Sequence, residues 1–217
     1  MTFGRPDGGH PLWIVKLGGS LARSPALPAW LDAIATGGGM LVLVPGGGSF
    51  ADEVRAMQRR WGFDDATAHR LALLAMEQYG LMLASLQPQL QPATSRSEIA
   101  RVLGSDGVPV WLPTRMALGR PDIPESWDVT SDSLAAWLAA QLQADGLVLV
   151  KSVPVAEGST IDDLVRLGTV DPLLPAFLGR GVPDCRCIDV GQHAAMKEAL
   201  GKHRIAGTRV ILRAEAG

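Results

Sequence analysis

The sequence predicts an α/β fold, with three layers (α/β/α) around an open, largely parallel sheet, and two patterns lead to that reading. Apolar runs of strand length, Leu12 to Leu17, Met40 to Val44 and Leu147 to Val150, are continuous rather than alternating, as strands covered on both faces require. The first two runs open into glycine turns, Gly18-Gly19-Ser20 and Gly46-Gly47-Gly48-Ser49, and helical spacing follows each turn. This strand-turn-helix order belongs to a doubly wound sheet rather than to a sandwich.

Taken in order, Leu12 to Leu17 is a buried strand followed by a helix over Leu27 to Ala35. Met40 to Val44 is a second strand, and Phe50, Val54, Met57 and Trp61 carry the period of the helix behind it. Thr67 to Leu86 is the longest helical pattern, apolar on more than one side, which predicts one face against the sheet and another against a partner, a second copy in a homodimer. A strand begins near Val108 and includes Trp111, and the proline-rich interval Pro113 to Ser126 is a long connection over the site edge. Ser131 to Leu142 is a helix and delivers the third strong strand, Leu147 to Val150, which ends in Lys151. A short helix near Ile161 to Leu167, a proline-broken stretch from Asp171 to Pro183, a strand around Cys187 to Val190, a helix from Gln192 to Leu200 and a final strand from Thr208 to Leu212 complete the order.

Composition narrows the function classes. The 217 residues fit one domain, 1–217, and 47% apolar with 19% charged residues suits a folded chain, with fraying expected only over Met1 to Pro11 and the final Ala-Glu-Ala-Gly. A formal charge of −2 supplies no broad basic surface, which argues against a nucleic-acid partner. No apolar stretch reaches the roughly 20 residues of a membrane span, and Lys16 interrupts the first apolar run, so neither a membrane nor a secretion segment is expected and the cytoplasm is the default location. Cys185 and Cys187, one residue apart, lack the spacing of a metal or redox pair.

Only four of the 20 basic residues are lysines, and two of these, Lys16 and Lys151, close strongly apolar strands. The carboxyl edge of an open parallel sheet is where ligands bind, so both amines are expected to converge there, and burying them requires an anion. Glycine turns at the same edge let the backbone approach oxygen-rich ligands. Neither turn matches the dinucleotide fingerprint or the phosphate loop of common NTPases. Thr130-Ser131-Asp132-Ser133 opens a helix, with Thr130 or Ser131 as its cap, and Asp132 could in addition accept bonds from both lysines. Such a set would catalyse phosphoryl transfer by alignment and electrostatics, with magnesium carried on the nucleotide and no protein metal ligands evident. His193 and His203 lack a carboxylate cluster, and Ser20 and Ser49 lack a hydrolase partner.

Val15-Lys16-Leu17-Gly18-Gly19-Ser20, Val44-Pro45-Gly46-Gly47-Gly48-Ser49, Thr130-Ser131-Asp132-Ser133-Leu134-Ala135 and Leu149-Val150-Lys151-Ser152 together resemble the amino acid kinase superfamily, over nearly the whole chain. The resemblance implies an ATP-dependent, magnesium-requiring kinase of a small-molecule acceptor, with the acceptor side mainly in 12–130 and the nucleotide side mainly in 131–213. It implies Lys16, Asp132 and Lys151 as catalytic residues, Gly18, Gly19, Ser20, Lys151 and Ser152 at the nucleotide, and Gly46, Gly47, Gly48, His69, Arg70 and Asp128 at the acceptor. His69, Arg70 and Asp128 fit surface or capping roles equally well. Many relatives carry a Val-Asp-Gly-Val-like turn where this chain has Ser152 to Gly158, and Asp171-Pro172 resembles a later Asp-Pro of some members. The compact length, His69 and the segment Ser126 to Asp132 look most like the small branch that phosphorylates an aminomethylfuran-methyl phosphate in methanofuran-type cofactor synthesis. An acylated amino acid, isopentenyl phosphate or a nucleotide monophosphate remains open as acceptor, as does a non-catalytic binding or subunit-interaction role on the same scaffold.

Overall fold

A computed structural model describes residues 11–212; most of the two terminal segments expected to fray lies outside them. One seven-stranded sheet organises the chain, in the order β3-β4-β2-β1-β5-β6-β7. Its strands are β1 (Trp13–Leu17), β2 (Leu41–Pro45), β3 (Leu90–Ala93), β4 (Val108–Trp111), β5 (Gly146–Lys151), β6 (Cys185–Asp189) and β7 (Thr208–Arg209). All neighbours pair parallel except β6 with β7, which are antiparallel. The α/β, largely parallel expectation therefore holds.

The helices are α1 (Leu27–Ala35), α2 (Gly48–Trp61), α3 (Asp65–Leu86), α4 (Arg96–Leu103), α5 (Thr114–Ala117), α6 (Ser131–Leu142), α7 (Ile161–Arg166), α8 (Leu174–Leu178) and α9 (His193–Leu200), with a 3₁₀ turn over Gly19–Arg23. Local chemistry accounts for several ends. Gly62, at φ +69°, terminates α2 in the left-handed conformation, and its N–H donates to the Gln58 carbonyl. Asp64 then caps α3 by accepting from the Thr67 N–H at 2.8 Å. The expected long connection after β4 contains α5, and Asp122 pins the segment beyond it by accepting from Trp137 Nε1 at 2.8 Å and Arg120 Nε at 3.0 Å.

Alternate residues of the central strands feed two cores. Ile14, Val42, Val44, Leu147 and Leu149 pack with Leu134, Trp137 and Leu138 of α6. Val15, Leu17, Leu41, Leu43, Val148 and Val150 pack on the other side with Trp30 and Ile34 of α1 and Tyr79 of α3. Lys16 pairs in register with Leu149, so Lys16, Leu149 and Lys151 share a sheet face, the one covered by α6. Two buried lysines thus come together across 135 positions because two strands are neighbours in register.

Candidate active site

The strand ends, the two glycine turns and the start of α6 meet at the carboxyl edge of the sheet. Asp132, in the first turn of α6, sits between the lysines: Lys16 Nζ forms an ion pair with Oδ1 at 2.7 Å, and Lys151 Nζ donates to Oδ2 at 2.5 Å. The three side chains are only 8%, 10% and 4% exposed for Lys16, Lys151 and Asp132. Burial pushes the Asp132 carboxyl up, but the two ammonium groups outweigh it and hold it below its ordinary value. Two cations and one anion leave this buried trio with a net positive charge. An anionic ligand at the sheet edge would compensate that surplus charge.

The glycine turns lie backbone to backbone. A Cβ on Gly19 would overlap the backbone of Gly48, and one on Gly46 would come within 2.6 Å of the Gly19 nitrogen. Gly46 N–H also donates to the Leu17 carbonyl at 2.8 Å, tying the second turn to the end of β1. Gly18 is different. Its φ of −61° suits any residue, and a Cβ there would meet Val150 O at 3.5 Å and Lys16 Nζ at 3.7 Å, ordinary contacts. The protein itself therefore does not require glycine at position 18, whereas a ligand lying against the lysine would.

Beside the trio lies a pocket of about 370 Å³. The N-terminus of α2 opens into it through Gly47, Gly48 and Ser49, with no side-chain cap on the free N–H groups of its first turn. Leu73, Met76, Val129 and Leu134 supply apolar wall, while Arg23, Arg55 and Asp52 supply charge. Trp127 is held by its Nε1–H donating to Gln58 Oε1 at 2.6 Å, and the Arg55 guanidinium stands 4.2 Å over its ring. His69 lines the pocket and is buried, and that burial depresses its pKa below 6.5 against the opposing pull of Glu125.

The structure thus gathers Lys16, Asp132 and Lys151, and it places Gly19, Ser20, Gly47, Gly48 and His69 on the pocket wall, with Gly18 and Gly46 just behind. Ser152 is exposed beyond β5 and does not line the pocket. Arg70 and Asp128 are exposed and are not on the pocket lining; the groups placed there include Arg23, Arg55 and Trp127. Trp127 and Asp128 are adjacent in sequence, so only the fold decides which of them faces inward. The capping expectation at α6 also changes. Thr130 makes no side-chain cap, and the carboxylate of Asp171 takes that place by accepting from Thr130 N–H at 2.8 Å, Thr130 Oγ1 at 2.5 Å and Ser133 N–H at 2.9 Å. Cys185 and Cys187 are buried free thiols, and burial pushes Cys187 up to about 11, so neither serves as a thiolate nucleophile.

Comparison with known proteins matches residues 11–171 to the Amino acid kinase family. The chain belongs to that family. Membership supports small-molecule, ATP-dependent kinase activity as the class of function. A curated relative, the [5-(aminomethyl)furan-3-yl]methyl phosphate kinase of Methanocaldococcus jannaschii, is 27% identical over 206 residues, covering 88% of this chain and 94% of the relative. Among solved structures, uridylate kinase from Archaeoglobus fulgidus superposes with a TM-score of 0.66 at 19% identity, over 92% of this chain and 99% of that one. UMP kinase from Bacillus anthracis gives 0.66 at 16% identity, over 94% and 97%. These two likenesses show the shared fold.

Proposed function

We propose that the protein transfers the γ-phosphoryl group of ATP to a small phosphorylated acceptor, and that the acceptor is [5-(aminomethyl)furan-3-yl]methyl phosphate. The observation that carries the reaction class is the buried, net-positive trio of Lys16, Asp132 and Lys151 at the sheet edge. The acceptor reading draws on the relative from M. jannaschii and on the pocket, whose apolar walls suit a small ring and whose Arg23 and Arg55 suit a phosphate. Exposed Asp52, on the same lining, offers a carboxylate to the acceptor ammonium, whereas Asp128, expected at the acceptor, is not on that lining.

In this reading Lys16 and Lys151 hold the transferred group from two sides, and Asp132 sets the spacing of the two ammonium groups. An oxygen of the acceptor phosphate bonds to the γ-phosphorus as the β–γ bridging bond breaks, so ADP leaves and the acceptor becomes a diphosphate. A dianionic phosphate nucleophile surrenders no proton, so the site needs no general base, and neutral His69 serves as a hydrogen-bonding wall. The bare backbone of Gly18, whose Cβ position lies 3.7 Å from Lys16 Nζ, suits close approach of a nucleotide phosphate. Magnesium, carried on the nucleotide, supplies charge neutralisation; among the described residues no cluster of three or more His, Cys, Asp or Glu is placed to hold a metal ion.

An acceptor panel tests the proposal. Purified protein with Mg-ATP is offered the furan phosphate, UMP, isopentenyl phosphate, aspartate and an N-acylated glutamate, and ADP and product mass are measured. The furan phosphate should give a product heavier by one phosphoryl unit at the highest kcat/KM. Efficient use of another acceptor without the furan diphosphate would overturn the acceptor and leave the kinase class standing.

A further inference from the structure

Asp171 lies in the connection between α7 and α8, 41 positions after Thr130, and is 8% exposed. Its carboxylate is filled by the start of α6: Oδ2 accepts from the N–H groups of Thr130 and Ser133, and Oδ1 from the Thr130 hydroxyl. The residues anchored in this way flank Asp132. A cap needed only for helix stability could have been local, since a threonine at the N-cap position ordinarily accepts from the N–H three residues on. Here the Thr130 hydroxyl donates away from its helix to Asp171, and Asp171 takes the Ser133 N–H in its stead.

We infer that Asp171 is a positioning residue of the proposed phosphoryl transfer, a buried strut that fixes the first turn of α6 and through it the placement of Asp132 between the two lysines. The first turn of α6 is then held from two directions, by Lys16 and Lys151 from the sheet and by Asp171 from the loop after α7. The same strut sets the pocket wall, because Thr130 and Ser131 line it. One carboxylate outside the reacting centre thereby links the proposed nucleotide half of the chain to the acceptor pocket. Electrostatic catalysis depends on alignment, and a misplacement of about 1 Å is enough to cost on the order of a hundredfold in rate. The inference rests on the kinase reading of this site.

The test compares Asp171→Asn with Ser95→Ala, which removes the cap of α4 and touches neither the trio nor the pocket. Each is measured for thermal stability, for kcat per folded molecule, for the KM of ATP, and for the side-chain ¹⁵Nζ resonances of a lysine-labelled sample, where the chain's four lysines give a small and assignable set. Asp171→Asn should lower kcat roughly tenfold or more, keep the KM of ATP within about threefold, and shift the signals of Lys16 and Lys151 while leaving those of Lys197 and Lys202 in place. Ser95→Ala should lose stability alone. A folded Asp171→Asn protein with wild-type kcat and unmoved lysine signals would reduce Asp171 to a simple cap and overturn the inference. Should Asp171→Asn not fold, Thr130→Val removes only the hydroxyl bond; a smaller shift of the same two signals supports the strut, and an unchanged spectrum contradicts it. The lysine spectrum reports even if the wild-type protein turned over no acceptor, a result that would sink the kinase reading by itself.

Discussion

At the residue scale the trio is electrically unequal, and that makes its members respond differently to substitution. Replacing one lysine by methionine removes the surplus charge and leaves a single ion pair, so stability should change little. Asp132→Asn leaves two buried ammonium groups without their anion, which should cost about 3–5 kcal/mol in chemical denaturation. Equal destabilisation by all three changes would contradict this charge balance. Arginine is no neutral control for either lysine, since its planar head differs in reach and in hydrogen-bond geometry. His69 makes a pH prediction. Because burial lowers its folded pKa below the unfolded 6.5, its contribution to stability is complete above pH 6.5 and is lost as pH falls through the folded value. The melting temperature should therefore decline as the pH falls below 6.5, and His69→Gln should flatten part of that slope. Parallel curves for the two proteins would remove His69 as its source.

At the element scale the two glycines of the first turn should separate folding from ligand binding. Gly19→Ala drives a methyl into the backbone of Gly48 and should destabilise by about 1–3 kcal/mol. Gly18→Ala has room and an ordinary φ, so it should melt near the wild type yet lose turnover, because the methyl occupies the space beside Lys16 Nζ. A Gly18→Ala enzyme of full activity would move the nucleotide away from that turn. Helix α3 leaves Leu71, Leu74 and Leu81 at 36%, 38% and 50% exposure, the surface that motivates the homodimer. Sedimentation across the micromolar range should show dimers, and Leu81→Glu should shift them toward monomer; a wild type monomeric throughout would remove this pairing.

The elements legible in the sequence were those whose own pattern decides them. Strands β1, β2 and β5 are continuous apolar runs, and α1 and α6 fall on the residues their spacing predicts. Strand β3 was not legible, because Leu90-Gln91-Pro92-Ala93 carries neither an apolar run nor a β-branched residue, and its Pro92 suits a strand at the sheet edge. Helix α4 is short and mixed in polarity and was missed with it. Within the site, Lys16, Lys151 and the glycines were legible because they punctuate strong strands. Arg23, Arg55 and Trp127 were not, because only the packing of the Gly19–Arg23 turn, α2 and the loop before α6 brings them to one wall. The cap from Asp171 spans 41 positions, which no local pattern announces.

At the scale of the whole molecule, one sheet carries both halves of the proposed reaction. Parallel pairing of β1 with β5 puts the two lysines on one face, and β1 beside β2 stacks the two glycine turns. No helix among the described residues is long and apolar enough to cross a membrane. Phosphoryl transfer by the buried trio is the claim that kcat per folded molecule tests for Lys16→Met and Lys151→Met, on whichever acceptor the wild type uses. Removing a preorganised donor to developing charge lowers turnover by about 10²–10³-fold in comparable sites. Each variant is therefore expected to fall at least about a hundredfold while circular dichroism and melting stay close to the wild type. Folded variants that keep near-wild-type turnover would contradict the claim.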